Sequence, residues 1–153
     1  MIRINRQTDY AIRVVLALAK SLAKHSERKR ICTAEIQQEM LIPQAFLPRI
    51  VAELARGEFI VTFPGRDGGL KLARPANQIN LREVVEYFEG PITISDCISG
   101  RVQCPFDSKC PVRRRWGKLQ AMIIHELEAI TFDELAQDAL ETEIVSLPIF
   151  NYS

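Results

Sequence analysis

Apolar positions recur at helical spacing over residues 7–24, where Ile12, Val15, Leu16, Ala19 and Leu22 form one stripe and Val14 and Leu18 widen it. This period predicts an amphipathic helix buried on two sides. Thr8 is placed to cap it, and Asp9 falls in the first turn, where the helix dipole favours an anion. The polar run from His25 to Arg30 reads as a solvated loop, and Ile31-Cys32 as a short extended piece with Cys32 as a small buried hydrophobe. Thr33 to Met40 reads as a short helix with Thr33 as its cap and Ile36 turned inward. Leu41-Ile42-Pro43 is a turn, and a second helix runs on to Arg56. Pro48 lacks an N–H and is tolerated only in a first turn, so this helix is expected to start near Gln44 or Ala45. Gly57 suits a left-handed cap at its end. Leu47, Ile50, Val51 and Leu54 then face the core, and Gln44, Phe46 and Arg49 face elsewhere.

The period changes after Gly57. Residues 59–63 and 70–73 are β-rich runs joined by Pro64-Gly65-Arg66-Asp67-Gly68-Gly69, which predicts a hairpin. Two short helices across a tight turn, followed by such a hairpin, make a winged helix-turn-helix. Helical spacing returns at Asn80, which with Glu83 is placed like a capping box, and it stops at Gly90. A long helix spans about 112–129, on which Trp116, Leu119, Ile123, Leu127 and Ile130 repeat at spacings of 3, 4, 4 and 3. Such a seam suits packing against a partner helix or within the same subunit. Thr131 caps one more short helix, with Glu134 at its third position, and residues 146–153 read as a tail. The expected fold class is mostly α with a small β-hairpin wing. Residues 1–80 form the winged helix-turn-helix, and residues 81–153 hold a loop of about 91–111, a long helix of about 112–130, a C-terminal helix and the tail.

Charge sharpens this division. The net charge of +1 conceals 13 Lys/Arg against 7 Asp/Glu in residues 1–80, and 7 against 12 in residues 81–153. The first half can face a polyanion and the second cannot. Ordinary surface charge is the competing explanation for so modest an excess. Arg66, flanked by glycines at the hairpin tip, can enter a minor groove with little steric hindrance.

The candidate chemistry lies in Cys97-x6-Cys104-x5-Cys110. Three of the four cysteines fall within 14 residues, among the turn formers Asp96, Ser99, Gly100, Pro105, Asp107, Ser108 and Pro111. Thiolates bind soft metals and iron–sulfur clusters strongly, and short flexible spacings let several sulfurs converge. The pattern does not resemble a secreted disulfide framework. The absence of a signal peptide or transmembrane run predicts a reducing cytoplasm and no membrane. Zinc is disfavoured because the loop lacks a nearby His and a CxxC pair. Spacing alone therefore indicates a cluster site short of its fourth ligand, with free thiols or one redox disulfide as the alternative. His125 lies more than roughly 20 Å past Cys110 along a helix axis. With two His far apart and no nucleophile motif, no catalytic constellation is visible, and the chain is read as a non-enzyme.

The sequence resembles the Rrf family of winged-helix regulators, of the IscR and NsrR type. The resemblance covers nearly the whole chain. It rests on Thr8-Asp9-Tyr10-Ala11-Ile12-Arg13, the helix-turn-helix of residues 33–56, and the run from Gly65 to Pro75. The three cysteines and Ile130-Thr131-Phe132-Asp133-Glu134-Leu135 complete it. The family implies a homodimer joined by the long helix, with the cluster loop of one subunit close to the DNA-binding domain of the other. It implies an iron–sulfur cluster held by Cys97, Cys104 and Cys110. The gap between Cys97 and Cys104 is six residues, where members commonly have five. In the IscR type the fourth ligand is a His three positions after the last cysteine, and here that position is Arg113. In the NsrR type it is an Asp of the first helix supplied by the partner subunit, and Asp9 matches it. A [4Fe–4S] cluster is thereby favoured over a [2Fe–2S] one. The implied partner is double-stranded DNA with a palindromic site. Gln44, Phe46, Arg49, Arg66 and Lys71 form the expected DNA-binding set, Gln pairing adenine and Arg guanine. The expected function is a dimeric transcription regulator whose DNA affinity follows the state of the cluster, sensing redox state, nitric oxide or iron and cluster supply. A cluster-free thiol switch, and an iron–sulfur electron-transfer or delivery protein, are the competing readings.

Overall fold

The computed structural model describes residues 3–28 and 30–144; the tail expected at 146–153 lies outside them. The first helix, α1 (Arg6–Lys24), is the element that most others touch: α2, α3, α4, α7 and β2 all pack on it. Its cap is Asn5 rather than Thr8, because the Asn5 Oδ1 accepts the Thr8 N–H at 2.9 Å. Thr8 lies one turn inside, fully buried, with its hydroxyl donating to Glu89 Oε1. The buried stripe is also rotated from the expected one. Ala11, Val14, Val15, Ala17, Leu18 and Ala19 are buried, Ile12 and Leu16 are half-buried, and Leu22 is exposed.

Helix α2 (Thr33–Met40) buries Ile36, as expected, but begins on Cys32 as a cap without a side-chain bond. Cys32 is exposed, not buried. The reason is the alternation of extended backbone: Ile31 turns inward, so its neighbour turns out. Helix α3 (Leu47–Arg56) starts later than the expected Gln44 or Ala45. A separate turn occupies 44–46, Phe46 is the cap, and Pro48 keeps its place in the first turn. Gly57 at its end is not left-handed (φ −76°); Glu58 is (φ 60°). Gly57 is needed instead for space, since a Cβ there would lie 2.8 Å from the Phe59 ring and 3.0 Å from Tyr87.

Strands β1 (Ile60–Phe63) and β2 (Gly69–Leu72) pair antiparallel, with Phe63 opposite Gly69. Ile31 adds a third strand at one point, exchanging both backbone bonds with Leu70 at 3.0 and 2.8 Å. Gly69 permits this approach, because a Cβ would stand 2.6 Å from the Ile31 carbonyl oxygen. A single 3-10 turn at 76–78 leads to α4 (Leu81–Glu89), which has the expected capping box from Asn80 and Glu83. The cysteine loop follows and contains one short helix, α5 (Asp96–Ser99).

Helix α6 (Pro111–Ala129) is long and has no buried residue. Helix α7 (Phe132–Ile144), capped by Thr131 with Glu134, turns back onto α1. Backbone bonds from Leu81 to Ile130 (3.0 Å) and from Phe132 to Ile79 (2.9 Å) hold it there, and Phe132 and Ala136 join the same core as Val14 and Leu54. Among the described residues no helix is long and apolar enough to cross a membrane.

Candidate nucleic-acid interface and cysteine loop

The start of α3 and the hairpin present the polar and cationic side chains of the winged-helix body. Leu47, Ile50 and Leu54 anchor α3 in the core, so Gln44, Phe46 and Arg49 are left exposed on its other side. Phe46 is not free: its ring meets Tyr10 of α1 edge-on at 5.4 Å, and the Arg13 guanidinium lies 5.4 Å from the Tyr10 ring. Arg49 borders a crevice of about 130 Å³ shared with Gln7, Glu53, Tyr87 and Phe88, apart from Gln44 and Phe46 along the helix. Arg66 is exposed at the hairpin tip, and Lys71 is exposed on β2 with its ammonium 5.4 Å from the Phe63 ring. The set thus falls into two places, the start of α3 and the hairpin.

Arg30 was absent from the sequence-based set. Its guanidinium lies 3.7 Å from the Phe63 ring centroid and donates to the Asp67 carbonyl at 3.0 Å. No local pattern marks it, because it stands 33 positions from Phe63 and reaches it only through the Ile31–Leu70 pairing. Nearby, Arg28 forms a bidentate pair with Glu35 at 2.7 Å, and the hydrogen bond and charge of that carboxylate raise the guanidinium above its ordinary value.

The cysteine loop is organised locally. Cys97, Cys104 and Cys110 are all half-exposed free thiols. Cys97 shares a 3.0 Å hydrogen bond with the Ser95 hydroxyl. Cys110 caps α6, its sulfur accepting the Arg113 N–H at 3.5 Å. Arg113, where a ligating His was the alternative, pairs with Asp107 instead. Lys109, Cys110, Arg113 and Arg114 line a cleft of about 570 Å³ together with Ile98 and Gly117. The donor set suits a soft metal centre: three accessible thiols, one already accepting a backbone N–H as cluster sulfurs do. Within one chain, however, no three His, Cys, Asp or Glu among the described residues converge into a metal-binding group.

Asp9 lies in the first turn of α1, paired with Arg13 at 2.7 Å. Arg13 also donates to the Met40 carbonyl at 3.1 Å, at the end of α2. The start of α1 is tied to the start of the cysteine loop through Glu89, whose Oε1 accepts the Asn5 N–H at 2.8 Å. The first turn of α1 is thus linked to the helix-turn-helix, through Asp9, Arg13 and the Met40 carbonyl, and to the end of α4, through Asn5 and Thr8.

Comparison with known proteins bears on this arrangement. The profile of Rrf2, described as an iron-dependent transcriptional regulator, matches residues 4–138. The chain is similar to the HTH-type transcriptional regulator NsrR of Oceanobacillus iheyensis, with 29% identity over 145 residues that cover 94% of this chain and 95% of the relative. Among solved structures it is similar to CymR (YrzC), the global cysteine regulator of B. subtilis. The TM-score is 0.74 at 20% identity, covering 90% of this chain and 98% of that one. It is also similar to T. potens IscR, with a TM-score of 0.70 at 17% identity, covering 99% and 97%.

Proposed function

The chain belongs to the Rrf2 family of transcriptional regulators, whose members are not enzymes, and on that footing we propose a homodimeric, cytoplasmic regulator whose DNA affinity is set by an iron–sulfur cluster. Cys97, Cys104 and Cys110 of one subunit and Asp9 of the other hold the cluster, and [4Fe–4S] is the favoured form. The observation that carries this reading is the loop, where three half-exposed thiols stand outside the apolar core, directly ahead of a long helix with no buried residue. When bound, the cluster supplies reactivity toward oxygen or nitric oxide.

The chain's own residues transmit its state. Residues 1–80 act as the DNA-binding unit, and residues 81–153 as the cluster and dimer unit. Asp9 would have to leave Arg13 to act as a ligand, and Arg13 also holds the Met40 carbonyl at the helix-turn-helix. Gln44 and Phe46 at the start of α3, with Arg49 on the same helix, address base edges in the major groove of a palindromic site, and Arg66 and Lys71 address the minor groove and backbone. Asp9 would offer the cluster a hard carboxylate oxygen, a weaker donor to iron–sulfur centres than the three thiolates.

Protein purified without oxygen is expected to contain iron and acid-labile sulfide and to show a visible absorption band. Each of Cys97→Ala, Cys104→Ala and Cys110→Ala should lose them. Mixing Asp9→Ala with Cys97→Ala subunits should restore about one normal cluster per dimer, since one site of the heterodimer keeps all four ligands. Iron-free protein whose DNA affinity still responds to thiol oxidation would instead establish the thiol switch.

A further inference from the structure

We propose that Arg30 and Lys71, held together on the ring of Phe63, form a clamp for DNA backbone phosphates at the base of the wing, with Phe63 as its positioning residue. The clamp rests on the DNA-binding reading above and adds Arg30 to the interface. Two exposed cations near one ring repel each other weakly through water, and an anion placed between them turns that repulsion into attraction for both. Several other cations of the winged-helix body are neutralised: Arg13, Lys20, Arg28, Arg56 and Arg74 each pair with a carboxylate. Among the described residues Arg30, Lys71 and the neighbouring Arg66 have no such partner, and all three are exposed.

The clamp is also preorganised. The two backbone bonds between Ile31 and Leu70 fix the residues next to Arg30 and Lys71. Gly69, opposite Phe63, has no side chain to cover the ring, while Lys71, two residues on along β2, reaches it diagonally. The Phe63 ring takes the Arg30 guanidinium on its face at 3.7 Å, and the Asp67 carbonyl accepts one N–H from Nη1. A guanidinium has five N–H donors, so Nε and Nη2 stay available to a phosphate. Holding the long side chain in place before binding lowers the entropy lost on binding. Arg66 at the tip then marks the minor groove, and the pair beneath it meets the phosphates on its rim. This contact carries no sequence information, in contrast to Gln44 at the start of α3.

The test measures the affinity of the full chain for its selected operator and for a random duplex over a range of salt. Arg30→Ala and Lys71→Ala should each weaken both duplexes by the same factor, about tenfold, and flatten the slope of log affinity against log salt by about one. Phe63→Leu keeps both charges, so it should keep the slope and still lose about threefold in affinity, and Arg30→Lys should behave like it. Thermal unfolding should stay cooperative in the two alanine variants, with only the small shift that losing Arg30's contacts to Phe63 and the Asp67 carbonyl brings. Unaltered slopes in both alanine variants, with a salt-dependent wild type, would overturn the clamp alone. A wild-type chain that binds neither duplex would overturn the DNA-binding reading and the clamp with it.

Discussion

Every buried apolar side chain among the described residues lies between Ala11 and Val85 or is Phe132 or Ala136, whereas none of the 19 residues of α6 is buried. The two regions are both helical and both carry apolar residues at regular spacing. They differ in what covers those residues. In the winged-helix body, α1 is enclosed by α2, α3, α4, α7 and the hairpin, so its stripe is satisfied within one chain. On α6, Val112, Trp116, Leu119 and Met122 are 52%, 41%, 43% and 58% exposed. A regular apolar stripe on a helix is stable only when something covers it, and a partner helix is the cover proposed for α6. The body therefore has its stability built in, while in the proposed dimer the loop and α6 would draw theirs from association and ligation.

Three variants break or sharpen this contrast. The largest effect is expected at Phe132, fully buried at the start of α7 although the chain has by then passed through α6. Phe132→Ala should cost about 3–5 kcal/mol in denaturant unfolding, the usual loss for a truncated core aromatic. A loss below about 1 kcal/mol would separate α7 from the body. The next effect lies on the other side of the contrast. Trp116→Ala with Leu119→Ala should weaken self-association by at least about 2 kcal/mol, as truncated aromatic anchors do. Monomer unfolding should change little, because neither side chain is buried in the chain itself. A double variant that sediments as an unchanged dimer would refute the seam.

The smallest effect is a gain. Leu41, 80% exposed, has the left-handed conformation (φ 52°) at the turn between α2 and α3. Its neighbours enforce this: Ile42 is anchored in the core and Arg13 holds the Met40 carbonyl. Leu pays about 1–2 kcal/mol for that conformation, and Asn tolerates it better. Leu41→Asn should raise stability by about 0.5–1 kcal/mol, read as a higher thermal midpoint. A lowered midpoint would place Leu41 in a contact that its exposure does not suggest.

Legibility followed the range of the interaction. The capping box of Asn80 and Glu83, the Thr131–Glu134 cap, the hairpin around Arg66 and the buried side of α3 are all set by residues within a few positions of one another. Where a nearby residue competed, the reading slipped: Asn5 took the cap from Thr8, and the turn at 44–46 delayed α3. Of the candidate site, the three thiols and the exposed Gln44, Phe46 and Arg66 could be read directly, but Arg30 could not.

The sequence by itself determined the order of the elements, the caps at Asn80 and Thr131 and the placement of the cysteines in a loop outside the core, because periodicity, capping and turn chemistry are local. Only the tertiary structure decided which face of α1 is innermost, that Cys32 turns outward, that Gly57 serves ring packing and not a left-handed turn, that Arg30 lies on Phe63, and that α7 returns to close the core. Each of these depends on a contact between distant positions, where available space and backbone pairing choose the partner and no repeat along the chain records the choice.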